Sequence, residues 1–145
     1  MQATQAIKDP PRIWGKPKDM QQKADYEDVV TNVLDFFIQK VAELREAGIR
    51  DIILDPGFGF GKTIEHNYKL LKNIQTLQIP VLPLLAGISR KSMIYKLLET
   101  SPMQALNGTS TLHIVALQNG ARLLRVHDVK EAVEVIRLWK MLDKV

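Results

Sequence analysis

Three short apolar runs, each ending in a loop rich in glycine, hydroxyl or charge, constrain this chain more than any other feature. They are Asp51-Ile-Ile-Leu-Asp55, Pro80-Val-Leu-Pro-Leu-Leu85 and Ala121 to Val126. Helical stretches lie between them, and short strands joined by helical crossovers pair in parallel. From Tyr26, the residues Val29, Val30, Val33, Phe37, Val41 and Leu44 follow helical spacing until Gly48 stops the run. A second helix is expected from about Thr63 to Leu77, a third from Ser92 to about Leu98, and a fourth from about Asn107 to the stop Asn119-Gly120. In the last helix Asp128 and Glu131 have the spacing of a capping box, and Val129, Ala132, Val133, Ile136 and Trp139 form its expected buried stripe. Residues 1–24 are polar, carry Pro10, Pro11 and Pro17, and read as irregular structure. The fold class is α/β with a parallel sheet.

Composition narrows the function. The 145 residues contain no cysteine, which excludes a disulfide framework, a thiolate metal site and a cysteine nucleophile. The net charge of +4 is only mildly basic, and Lys and Arg are scattered among acidic residues, so no nucleic-acid partner is expected. The apolar stretch Ile79 to Ala86 is broken by Pro80 and Pro83 and is far shorter than the ~20 residues of a membrane helix. The first residues lack the apolar core of a secretory signal. The expectation is a cytoplasmic protein with no membrane partner.

In parallel α/β folds ligands sit at the carboxyl ends of the strands. Here those ends carry Asp55-Pro-Gly-Phe-Gly-Phe-Gly-Lys-Thr63, Gly87-Ile-Ser-Arg-Lys-Ser92 and Arg125-Val-His-Asp128. The glycine loop is not a P-loop: Gly61-Lys62-Thr63 fits its end, but Pro56 stands where the first glycine is required. It is not a dinucleotide fingerprint either, because Lys62 replaces the third glycine. What remains is the strand-end carboxylate Asp55 beside Phe58 and Phe60. That set suits a flat heterocycle presenting N–H donors, or equally a turn with packed aromatics. Ser89-Arg90-Lys91-Ser92 opens a helix and reads as an anion site or as a solvated basic turn. Arg125 and His127 flank Val126 and so face one side of a strand, an arrangement that suits a phosphate or diphosphate. His66 and His113 lie on helices without a second ligand at metal spacing and read as surface or packing residues, and Glu65 and Asp51 as solvated.

The three loops, in this order and spacing, resemble the carboxyl-terminal motifs of the dihydropteroate synthase family. Gly15-Lys-Pro-Lys-Asp-Met-Gln21 resembles the loop after the family's fifth strand, so the likeness runs from about Gly15 to the end. The resemblance implies the carboxyl-terminal portion of a (β/α)8 TIM barrel, with strands six to eight and their helices over residues 25–145. It implies a transferase of folate biosynthesis, a sulfonamide target, that joins 4-aminobenzoate to (7,8-dihydropterin-6-yl)methyl diphosphate and releases diphosphate. By resemblance Asp55 accepts from the pterin, Phe60 lines the site, and Gly87 and Lys91 lie against the pterin. Ser92 holds the aminobenzoate carboxylate, and Arg125 with His127 binds the diphosphate. Lys91, Arg125 and His127 are the implied catalytic set. The family also uses magnesium, whose first-strand Asn ligand has no counterpart on this chain.

The front of the chain departs from the family. Asp9-Pro-Pro-Arg-Ile-Trp14 stands where the fifth strand ends in a Met-His-Met-like segment, and paired prolines oppose a normally pairing central strand. Such a barrel typically needs ~250 residues. The expectations are therefore three barrel strands, half a site, little or no activity of the 145 residues alone, and self-association, such as a homodimer, through open sheet edges. A pterin-binding methyltransferase and a non-catalytic pterin-binding scaffold are the alternatives.

Overall fold

A computed structural model describes residues 5–7 and 28–145. The elements are β1 (Gln5–Ile7), α1 (Val29–Glu46), β2 (Ile52–Leu54), α2 (Ile64–Lys72), β3 (Leu85–Ala86), α3 (Ser92–Tyr95), α4 (Leu106–Gln118), β4 (Leu123–Leu124) and α5 (Val129–Lys144), with 3-10 turns at Ile74–Leu77 and Pro102–Gln104. All strand pairs are parallel. β1 pairs with β2 in the register Gln5 to Ile52, and β3 pairs with β4 in the register Leu85 to Leu123. A bridge between Leu54 and Leu84 joins the two pairs, so the strands run in chain order across one layer.

β1 corrects the reading of residues 1–24 as wholly irregular: a strand precedes Pro10 and Pro11, and four parallel strands are described instead of three. A proline has no N–H to give a ladder, and Pro10 and Pro11 themselves lie outside the described residues. The expected strand Pro80–Leu85 shortens to Leu85–Ala86 for the same chemistry. Pro80 and Pro83 have no N–H to donate, and Val81 adopts φ +65° in a turn closed by Leu82 N to Ile79 O at 3.1 Å. Pro83 still contributes its carbonyl, which accepts from Leu54 N at 2.9 Å.

The helix boundaries follow side-chain chemistry. Asp28 caps α1 by accepting from Val30 N, and Thr63 caps α2 by accepting from His66 N. Both glycine stops form the same closure: Gly48 N donates to Arg45 O and Ile49 N to Leu44 O, while Gly120 N donates to Leu117 O and Ala121 N to Ala116 O. Each pair of bonds needs a left-handed residue, supplied by Gly48 at φ +82° and Gly120 at φ +100°. Val29, Val30, Val33, Phe37 and Val41 on α1 bury against Ile52, Leu54, Leu84 and Ala86 from the strands and Leu70, Leu71 and Ile74 from the α2 region. This core lies between strands and helices, and Phe58 and Ile88 extend it into the loops at the strand ends.

α5 differs from its expected stripe. Ala132 and Val135 are its buried residues, while Val129 and Val133 are 64% and 43% exposed. The capping box does not form, because the Asp128 carboxylate turns away from the helix to Arg90. Burial of His113, by contrast, agrees with a packing role. Its ring is 2% exposed, and Nε2 has no hydrogen-bond partner among the described residues. Burial holds this imidazole below its ordinary pKa, only partly opposed by the Asp128 charge. The unfolded chain therefore takes up a proton as pH falls through ~6.5 while the folded chain resists it, so the contribution to stability is full above that pH and lost below. Thermal melts at pH 7.5 and pH 5 should show a smaller loss of Tm for His113→Leu than for the wild type. At pH 7.5 the variant should be as stable or up to about 1 kcal/mol more stable, since an unsatisfied buried polar atom is removed. An unchanged pH dependence would contradict this account.

Candidate active site

Three loops leave the carboxyl ends of β2, β3 and β4 on the same side of the sheet. The first is built on Asp55, which is 4% exposed. Its Oδ1 accepts from Gly57 N at 2.9 Å, which turns the chain sharply after the strand. Gly57, Gly59 and Gly61 all have positive φ, so the loop bends at alternate residues where side chains would be strained. Asn67 on α2 braces it from below. Its Oδ1 accepts from Gly59 N at 2.8 Å and its Nδ2 donates to Thr63 O at 2.7 Å. Lys62 Nζ donates to Gly57 O at 2.8 Å. Asn67 belongs to no motif, and its one signal in the sequence is an amide three and four residues before Leu70 and Leu71, a polar group on an apolar helix face.

The two aromatics of this loop separate. Phe58 is 1% exposed and belongs to the core, whereas Phe60 is 53% exposed. Lys91 Nζ sits 4.2 Å from the Phe60 ring centroid, a cation–π contact that places the second loop against the first. Lys91 is the residue before α3, and Ser92 is the first of that helix.

The third loop supplies Arg125 and His127; the expected strand Ala121–Val126 shortens to Leu123–Leu124, so both residues follow β4 instead of lying on it. Arg125 Nη1 lies 3.4 Å from Asp55 Oδ2. The guanidinium rests over Gly87, where a Cβ would meet Nη2 at 2.7 Å. His127 Nδ1 lies 2.9 Å from Ser89 Oγ. Arg90 and Asp128 form a paired clamp of 3.1 Å through Nε and 2.5 Å through Nη2, and this partner holds the Asp128 carboxyl below the usual carboxylate range.

Every site residue expected from the sequence therefore lies at one end of the strands. Asp55, Gly87 and Arg125 come together, as do Phe60 and Lys91, while His127 is tied to Ser89 and Ser92 starts the adjoining helix. The sequence reading did not isolate Ser89, Arg90, Thr109 and Asp128 as a unit, because their contacts span 19 to 38 residues. The Gly15–Gln21 motif and Trp14 lie outside the described residues. No group of three or more potential metal ligands occurs among the described residues, and none of their helices is long and apolar enough to cross a membrane.

Gly87 offers a clean probe. Gly87→Ala must displace the Arg125 guanidinium, and that is the flexible end of a half-exposed side chain. Stability should change by about 1 kcal/mol or less, since the neighbour can move. A urea unfolding curve checks this, and a loss of more than about 2 kcal/mol would show that the guanidinium cannot give way.

Comparison with known proteins decides the family. Residues 6–127 match the pterin binding enzyme family. The chain belongs to that family. The match starts at residue 6 instead of near Gly15, so it includes β1. Dihydropteroate synthase of Escherichia coli is 46% identical over 126 residues, which is 86% of this chain and 45% of that protein. The structure of the Yersinia pestis dihydropteroate synthase with a sulfonamide drug superposes at a TM-score of 0.84 and 39% identity, over 97% of this chain and 50% of that one. The Xanthomonas albilineans enzyme in complex with 7,8-dihydropteroate gives a TM-score of 0.80 at 38% identity, over 84% of this chain and 48% of that one. The chain thus spans about half the length of the family members it matches.

Proposed function

We propose that this chain carries the pterin and diphosphate side of a dihydropteroate synthase site, on residues 25–145 as the carboxyl-terminal part of a (β/α)8 barrel. The reaction is the condensation of (7,8-dihydropterin-6-yl)methyl diphosphate with 4-aminobenzoate. The observation that carries the reading is the convergence of a buried carboxylate and an arginine from separate strand ends, Asp55 and Arg125, 3.4 Å apart. The similar Xanthomonas albilineans enzyme, in complex with 7,8-dihydropteroate, supports it.

In this reading Asp55 accepts from the N–H groups of the pterin, with Phe60 lining the site and Gly87 and Lys91 against the ring. Ser92 holds the aminobenzoate carboxylate. Arg125 and His127 bind the diphosphate. The Arg125–Asp55 pair has one half-exposed partner, so it is worth little and yields to the ligand at small cost. The methylene C–O bond breaks, and the electron pair leaves with diphosphate, where Arg125 and His127 stabilise the developing charge. The electron-rich pterin stabilises the cationic carbon. The neutral aniline nitrogen then forms the C–N bond and releases its proton to solvent. Magnesium finds no oxygen cage among the described residues: Asp55 is taken by the pterin in this reading, Asp128 is paired with Arg90, and the remaining polar site residues are cationic or hydroxylic. No step here passes through the metal.

The 145 residues by themselves are expected to bind the pterin diphosphate without robust turnover, because they span about half the length of the synthases they match. Self-association in the cytoplasm belongs to the same proposal, with Leu138, Met141 and Leu142 on α5 all more than 60% exposed. Calorimetry with the pterin diphosphate, followed by 4-aminobenzoate, tests the reading. Arg125→Ala should weaken the first step about a hundredfold, the scale of two charge-assisted bonds. Equal affinity of wild type and Arg125→Ala would overturn it and leave a scaffold.

A further inference from the structure

The loops after β3 and β4 are joined by contacts that the reaction itself does not require. Ser89 is 3% exposed, and its Oγ accepts from the backbone N–H of His127 at 3.2 Å while lying 2.9 Å from His127 Nδ1. A hydroxyl has one proton to give. Because Oγ already accepts from the backbone, the acceptor in reach of its own proton, among the described residues, is Nδ1. If Nδ1 carried a hydrogen, Oγ would accept twice and a buried hydroxyl proton would be stranded without an acceptor.

The loop is also held where Ser89 can act. Arg90 adopts φ +54°, a left-handed conformation unfavourable for a side chain. Its backbone N–H donates to Thr109 Oγ1 at 3.1 Å, and its guanidinium takes both Asp128 carboxylate oxygens, one residue beyond His127. These bonds offset the backbone cost and fix residues 89–90 against residues 127–128.

We propose that Ser89 is a positioning residue that holds His127 as its Nε2–H tautomer, with the Arg90–Asp128 clamp and Thr109 keeping the serine in register. The ring then turns an N–H donor away from Ser89 and toward the open end of the strands. That donor serves an anion even when the imidazole carries no charge. The inference rests on the proposed function for its purpose, but the tautomer itself follows from the hydrogen-bond geometry.

Nitrogen-15 NMR of the histidine-labelled chain, with His127 assigned by its loss in His127→Gln, reads the tautomer directly. The wild type should show the Nε2–H form. Ser89→Ala should show a mixture of both forms and bind inorganic pyrophosphate about five- to tenfold more weakly, the scale of one orienting hydrogen bond. Ser89→Thr keeps the hydroxyl and should restore both the Nε2–H signal and the affinity. A wild-type ring protonated at Nδ1 would overturn the proposal, whether or not the variants fold. So would unchanged His127 signals in Ser89→Ala, in a protein whose pyrophosphate binding is still lost with Arg125→Ala. If the folded wild type takes up no pyrophosphate, the diphosphate reading fails, and the ring signals alone decide the role of Ser89.

Discussion

Asp55→Ala is expected to lower affinity for the pterin diphosphate a hundredfold or more while the chain still folds. The carboxylate is 4% exposed and directly follows β2, where it can accept from adjacent N–H groups of a flat ring. Two charge-assisted hydrogen bonds at about 1.5–3 kcal/mol each account for the loss. The same change strands Gly57 N, which now donates to Oδ1 at 2.9 Å, so a stability cost of about 1–3 kcal/mol accompanies it. Asp55→Asn separates the two roles. The amide oxygen still accepts from Gly57 N, so the loop should hold its shape, while the missing charge and a competing N–H donor still weaken the pterin. Calorimetry beside urea unfolding gives both numbers. Full affinity in a folded Asp55→Ala protein would remove the carboxylate from the pterin site.

Phe37→Ala should produce the largest stability loss. Phe37 is fully buried, and Val33 and Val41, one turn away on either side, are buried with it. Truncation of such a ring costs about 3–5 kcal/mol, through lost transfer energy and the cavity left behind. Domains have only about 5–15 kcal/mol in hand, so a large share of the molecules should unfold under mild conditions. Phe36 is the internal control. Its ring stands 6.2 Å from that of Phe37 but is only partly buried, and Phe36→Ala should cost less than half as much. An unfolding free energy for Phe37→Ala, taken from urea denaturation, within about 0.5 kcal/mol of wild type would contradict the packing described.

Periodicity made α1 readable because its apolar positions repeat at helical spacing between Asp28 and Gly48, and the side chain and the backbone both close the ends locally. Gly120 was legible for the same reason. The gathering of polar loops at one end of the strands was legible as well, since each follows an apolar run, whereas the role of each residue there comes from the family resemblance. Elements set by distant partners were not. α5 turned Val129 and Val133 outward, and Asp128 left its cap for Arg90 across 38 residues, which no local pattern encodes. The strand at Gln5–Ile7 was hidden by the prolines that follow it, and its ladder depends on pairing with Ile52–Leu54. Asn67 was missed because its role is to satisfy Gly59 N in a loop eight residues back.

The claim at the centre of this account is that one end of the strands binds a pterin diphosphate. Amide NMR of the labelled chain during titration with (7,8-dihydropterin-6-yl)methyl diphosphate tests it most directly. The account predicts saturable shifts at Gly57, Gly59, Gly87 and Lys91 and from Arg125 to Asp128, with the groove of about 460 Å³ lined by Gln78 to Leu84 at the opposite strand ends unaffected. A folded chain that shows no shifts, or shifts confined to that groove, would contradict it.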